Sequence, residues 1–141
     1  SQYHAILTNS ESHTLLAITQ NEGDWENYAT ATSTFSDNIW QHACGVWASS
    51  SSRAIYLNGG NKGTDANSCT DPLINTVRVG QRADLAGLGF YGDLAEAAIW
   101  NVALTDAEVA ILGLGASALM DVQAHFKHIG PYLEEIVQKL I

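Results

Sequence analysis

The sequence predicts a mainly β protein built around an antiparallel meander, and three observations predict it. From Trp40 to Trp47 polar and apolar residues roughly alternate, the period of a strand with one buried face. A run of small polar residues, Ser49 to Ser52, then marks a turn, and Arg53 to Leu57 reads as a second strand carrying Ile55 and Tyr56. Asn58-Gly59 follows, the strongest short hairpin signal, because a type I′ turn needs positive φ at both central residues. Two adjacent hairpins make a meander, and a meander implies an antiparallel sheet.

The remaining elements fit around it. Tyr3 to Leu7 and Thr14 to Ile18 are apolar-rich runs separated by turn-forming residues, a first hairpin. Trp25 to Thr34, rich in Thr and Ala, reads as a strand of a flat sheet. Lys62 to Asp65 and Thr76 to Gln81 read as short strands, and Phe90 to Trp100 as a long one. Its small residues Ala95, Ala97 and Ala98 suggest close packing, with the tryptophans as the bulky partners. Thr105 with Glu108 three residues on forms a capping box that opens a short helix, which Gly113 and Gly115 should end. From Asp121 to Ile141 the apolar residues Val122, Phe126, Ile129, Leu133, Ile136 and Leu140 step by four and three, a heptad seam. Gly130-Pro131 interrupts it and should kink it or split it in two. The expected organisation is therefore a β domain over residues 1–115 and an amphipathic helical segment over 116–141.

Composition bounds the function. A chain of 141 residues is about one domain and can bury a core without metals or disulfides. The net charge of −9 argues against nucleic acid and anionic membrane as partners, since both call for basic patches. No apolar run approaches the ~20 residues of a membrane span. No signal peptide is visible, and Ser1 reads as the start of a processed chain. Cys44 falls on a predicted central strand and Cys69 in a loop, so two free thiols are expected rather than a bridge.

The order Trp-x-His-x-x-x-x-Trp, a small-residue turn, then Tyr56-Leu57-Asn58-Gly59 resembles laminin G-like domains of the concanavalin A-like lectin/glucanase superfamily. His42 to Trp47 also comes close to the pentraxin signature His-x-Cys-x-Ser/Thr-Trp, with Val46 where that signature has a hydroxyl. Val77 to Gly80 is similar to the strand and Gly that follow the family's meander, and Phe90 to Val109 to its closing stretch. The resemblance implies an antiparallel β-sandwich of jelly-roll type and places Trp40, Trp47 and Trp100 in its core. It also implies strands before Tyr3 that this sequence does not supply. Localisation follows from the family alone, as extracellular or virion-surface.

Catalysis is not expected. Glucanases of the superfamily carry paired carboxylates on one strand face, one to attack or activate water and one to protonate the leaving oxygen. Here Glu96 stands alone mid-strand, with Asp93 on the other face. No Gly-x-Ser-x-Gly elbow occurs, and the histidines lack metal-ligand spacing. Sugar binding favours an exposed aromatic beside amides and carboxylates. Trp25, flanked by Asp24 and Asn27, has that setting, and Tyr91 is the second choice. No cofactor is required; calcium is the candidate ion, through the loop carboxylates Asp24, Asp65, Asp71 and Asp84, each also readable as an ordinary solvated turn aspartate.

The expectation is a non-catalytic recognition module for a glycan or protein. The alternative is a structural assembly protein, such as a virion decoration, fibre or surface-layer subunit. The seam residues Phe126, Ile129, Leu133, Ile136 and Leu140 need a cover, from the chain's own sandwich or from another copy, and a homo-oligomer is the expected outcome.

Overall fold

The computed structural model describes residues 3–20, 27–70, 72, 76–81 and 89–115. Its six strands are β1 (Tyr3–Asn9), β2 (Thr14–Gln20), β3 (Tyr28–Thr34), β4 (Ala43–Ser49), β5 (Ser52–Leu57) and β6 (Gly60–Asp65). They form two three-stranded antiparallel sheets, β1-β2-β3 and β4-β5-β6. A helix, α1, covers residues 106–115.

The sheets pack face to face as a sandwich of jelly-roll type. Leu15 and Ala17 of β2, with Ala29 and Ala31 of β3, meet Ile55 and Leu57 of β5, flanked by Phe35 and Trp47. The alanines let the sheets approach closely. At the far rim β3 and β6 come so near that a Cβ on Gly63 would fall onto the Thr30 carbonyl. Only glycine fits there.

The outer face of the second sheet is buried too. Cys44 and Val46 of β4, with Ala54 and Tyr56 of β5, are covered by Val109 of α1 and by Leu104. Every residue from Arg53 to Leu57 is consequently buried, the pattern of a central strand covered on both sides.

Local chemistry at the turns follows the sequence. Asn58 and Gly59 take φ of 55° and 73°, the type I′ signature, and Leu57 pairs with Gly60 across them. The capping box forms: the Glu108 N–H donates to Thr105 Oγ1 at 3.3 Å, and the Thr105 N–H donates to Glu108 Oε2 at 2.7 Å. Both cysteines are free; Cys44 is buried and Cys69 half-buried.

Five expectations need correction. The stretch Phe90 to Trp100 is not a strand, and among the described residues Thr76 to Gln81 contributes only one bridge, Gln81 to Gly89. Alternation assigns faces but supplies no partner, and Glu96 sits at φ 55°, which breaks an extended path mid-stretch. Ala95, Ala97 and Ala98 are accordingly exposed rather than packed under tryptophans. Trp40 and Trp100 are about half exposed, so Trp47 alone of the three packs against the inter-sheet core. Finally, α1 runs through Gly113. That glycine is a contact point rather than a stop, because a Cβ on it would lie 2.5 Å from both N and Cα of Gly59. The predicted segment 116–141, with its seam, lies outside the described residues.

The Gly113 contact yields a signed prediction. Alanine in place of a helix glycine usually raises stability by up to about 1 kcal/mol. Gly113→Ala should instead cost about 1–3 kcal/mol, because backbone must shift to admit the methyl group. A urea titration should show a lower midpoint with an unchanged slope.

Candidate recognition surface

Three polar clusters and one exposed segment carry the chemistry of the described residues. The deepest cluster sits where β5 begins. The Arg53 side chain is 0% exposed and its Nη1 donates to the Asp65 carboxylate. Its Nη2 donates to the carbonyls of Ser50 at 3.1 Å and Asn67 at 2.9 Å, and to Cys69 Sγ at 2.8 Å. Cys69 closes the cluster, its N–H donating to the Ser50 carbonyl at 2.9 Å. Arg53 Nε has no partner among the described residues. A buried guanidinium with this many oxygen partners is a structural node that pins the β4–β5 turn to the chain leaving β6.

The second cluster ties α1 to the sheet. Tyr56 OH donates to Asp106 Oδ1 at 2.7 Å, and Lys62 Nζ reaches both Asp106 oxygens at 2.7 and 3.0 Å. The hydrogen bond from Lys62, and then that from Tyr56, holds the Asp106 carboxyl below its ordinary pKa. The same bond to Asp106 raises Lys62. Burial, and next the bond to Asp106, raises the Tyr56 phenol. Asp106 opens α1, where a carboxylate also meets the positive end of the helix dipole.

The third cluster lies toward the β1 and β4 side of the sandwich. The His4 and Trp47 rings are 5.1 Å apart, and His4 Nδ1 is 2.9 Å from Thr19 Oγ1. Trp47 folds back over Gly45. At the other end of β4, apart from this cluster, His42 precedes the strand and exchanges two bonds with Asn58: the His42 N–H donates to Asn58 Oδ1 at 3.0 Å, and the Asn58 N–H donates to the His42 carbonyl at 2.8 Å. Burial lowers the His42 pKa from its ordinary 6.5.

The exposed segment runs over residues 89–102. Its Phe90 N–H donates to the Gly80 carbonyl at 2.7 Å, which lays it beside residues 76–81. Tyr91 is 94% exposed and so touches almost nothing. Asp93 and Glu96 are exposed on the same segment.

The residues named from the sequence are not brought together by the described structure. Asn27 is buried, with its carbonyl accepting from the Thr19 N–H at 3.1 Å, whereas Tyr91 projects into solvent. Trp25, Asp24, Asp71 and Asp84 lie outside the described residues, as do the seam residues Phe126, Ile129, Leu133, Ile136 and Leu140. Asp65 is engaged by Arg53 and by the Asn67 N–H at 3.2 Å. Among the described residues no three His, Cys, Asp or Glu side chains converge as metal ligands. Nor, among them, is any helix long and apolar enough to cross a membrane. Sequence reading missed the Arg53 node entirely. The only available signal was a lone arginine at the start of an otherwise apolar strand.

The sequence matches the laminin G model of the concanavalin A-like lectin/glucanases superfamily over residues 2–110. The chain belongs to this superfamily, and the match carries no pentraxin assignment for His42 to Trp47. Among solved structures it is similar to an S-layer domain-containing protein from Clostridium thermocellum, at 17% identity and a TM-score of 0.48. That likeness covers 80% of this chain and 63% of the other. No curated protein matches.

Two predictions come from these clusters. Asp65→Ala strands a buried guanidinium and should cost about 3–5 kcal/mol, while Arg53→Met/Asp65→Leu should cost less than the single change. Chemical denaturation of both variants checks the order. His42 generates a pH dependence. Its folded pKa lies below the unfolded 6.5, so the unfolded chain takes the proton more readily. Its contribution is fully present above about pH 6.5 and is lost as pH falls through the folded value. In His42→Gln, Tm should fall less over that window than in the parent. Asp106 and Glu108 are both held low, so their contributions are present above their unfolded values of 3.8 and 4.5 and are lost at more acid pH than that of His42.

Proposed function

We propose that the chain is a non-catalytic recognition module that binds a glycan or a protein on a cell or virion surface. The observation that carries the reading is Tyr91, an aromatic held 94% exposed beside exposed carboxylates on a domain of the lectin-like superfamily. An aromatic face stacks on the apolar face of a pyranose, and neighbouring carboxylates accept its hydroxyls. Trp25 and Asp24 are proposed as a second set of contacts, and calcium as a structural ion on loop aspartates; Asn27, being buried, is left out of the set.

Laminin G-like domains are generally non-catalytic, which favours binding over hydrolysis. The carboxylates also favour it. Asp65 and Asp106 are spent on Arg53 and Lys62, and Glu108 caps α1. Asp93 and Glu96 are exposed on an irregular segment, not paired on one strand face.

A glycan array followed by titration of the best ligand tests the reading. Tyr91→Ala and Trp25→Ala should each weaken binding by about 1–3 kcal/mol, the scale of one lost stacking or anchor contact. The far-UV spectrum and Tm should not change. Unchanged affinity in both variants would place the ligand elsewhere. Self-assembly without any ligand, seen by mass photometry, would favour a building-block role instead.

A further inference from the structure

The strand β4 is an unguarded sheet edge. It ends the order β4-β5-β6, and among the described residues its ladder partner is β5 alone. The Asn58 N–H donates to the His42 carbonyl, so His42 and Asn58 form a hydrogen-bonded pair. Such pairs alternate with non-bonded ones along an antiparallel ladder. That phase turns the N–H and C=O groups of Cys44 and Val46 toward β5, and those of Ala43, Gly45 and Trp47 toward the open side. Among the described residues none of these three has a backbone partner there. Ala43 is exposed, and Gly45 and Trp47 are half-buried. Sheet edges usually carry a charge or a proline that discourages pairing with another chain, and Ala43 to Ser49 carries neither. The opposite rim is closed, because Gly63 of β6 lies against the Thr30 carbonyl of β3.

We propose that β4 pairs antiparallel with β4 of a second copy, joining two three-stranded sheets across a two-fold axis at Gly45. Three observations favour a second copy as the occupant. The first is register. Centred on Gly45, the pairing sets Gly45 against Gly45 and Trp47 of each copy against Ala43 of the other, so the one large side chain always meets a small one. It exchanges about six backbone hydrogen bonds. The second is charge. Each copy carries −9, and two such chains approach with least repulsion along a strip that holds no Asp or Glu. The third is space. The Trp47 ring lies over Gly45 of its own strand, 2.6 and 2.7 Å from where a Cβ would stand, and so leaves the backbone edge open. The pair closes on itself after two copies, so it is compatible with the recognition reading and is not the open array of a building block.

Sedimentation of the full chain, with residue-resolved hydrogen exchange on the same samples, tests this. The chain should pass from monomer to dimer between low and high micromolar concentration. Over that range the Gly45 and Trp47 amides should slow at least about tenfold, while the Cys44 and Val46 amides, bonded to β5, stay protected throughout. Ala43→Pro removes an edge donor, twice by symmetry, and should weaken the dimer at least about tenfold without changing the Tm of the monomer. Should that variant fail to fold, the concentration dependence of the parent's amides decides alone. A monomer at every concentration with unprotected Gly45 and Trp47 amides would overturn the proposal, as would an unchanged dimer in folded Ala43→Pro. Protection of those amides in the monomer would also overturn it and give the edge to another strand of the same chain. A dimer in which β1 amides slow in place of those of β4 would overturn it in favour of the neighbouring edge.

Discussion

The type I′ turn at Asn58-Gly59 is the constraint on which the rest of the structure depends. Its two positive φ angles fix the register of β5 against β6. Its Asn58 side chain and backbone hold His42, the approach to β4. Its Gly59 meets α1, with Ala110 and Gly113 both within 3.2 Å of the position a Cβ would take. One two-residue turn thus joins all three strands of a sheet to the helix that covers it. A bulkier residue at either glycine disturbs both contacts at once, because neither backbone has room to retreat.

Burial of β5 on both faces follows from this arrangement. The helix screens Tyr56 and Ala54 on one side, and the first sheet screens Ile55 and Leu57 on the other. Placing Arg53 in the same strand would be costly without partners, so Asp65 and the carbonyls of Ser50 and Asn67 surround it. Three carboxylates of the scaffold serve such internal tasks: Asp65 on Arg53, Asp106 on Lys62 and Tyr56, Glu108 on the α1 cap. Among the described residues, the 89–102 segment faces solvent along its whole length. Recognition is best sought where side chains are free, and the superfamily's rigid sandwich is a scaffold of the kind that presents such segments.

The sequence by itself determined whatever short-range backbone chemistry decides. Asn58-Gly59 favours one turn type, the Thr105–Glu108 box caps the helix, and apolar runs mark β2 and β5 as strands. The first hairpin and the meander were legible for that reason, and so was the superfamily, whose motif lies on those same turns. Tertiary structure decided what depends on distant partners. Phe90 to Trp100 has the composition of a strand, but a ladder needs a second chain segment beside it, and Glu96 turns away from one. Gly113 reads as a helix stop and is instead the point where a helix touches a turn 54 positions earlier in the chain. Arg53 finds its partners in three separate stretches, Ser50, Asp65 and Asn67 to Cys69. No local pattern encodes such a meeting, because it is set by how two sheets and a helix close on one another.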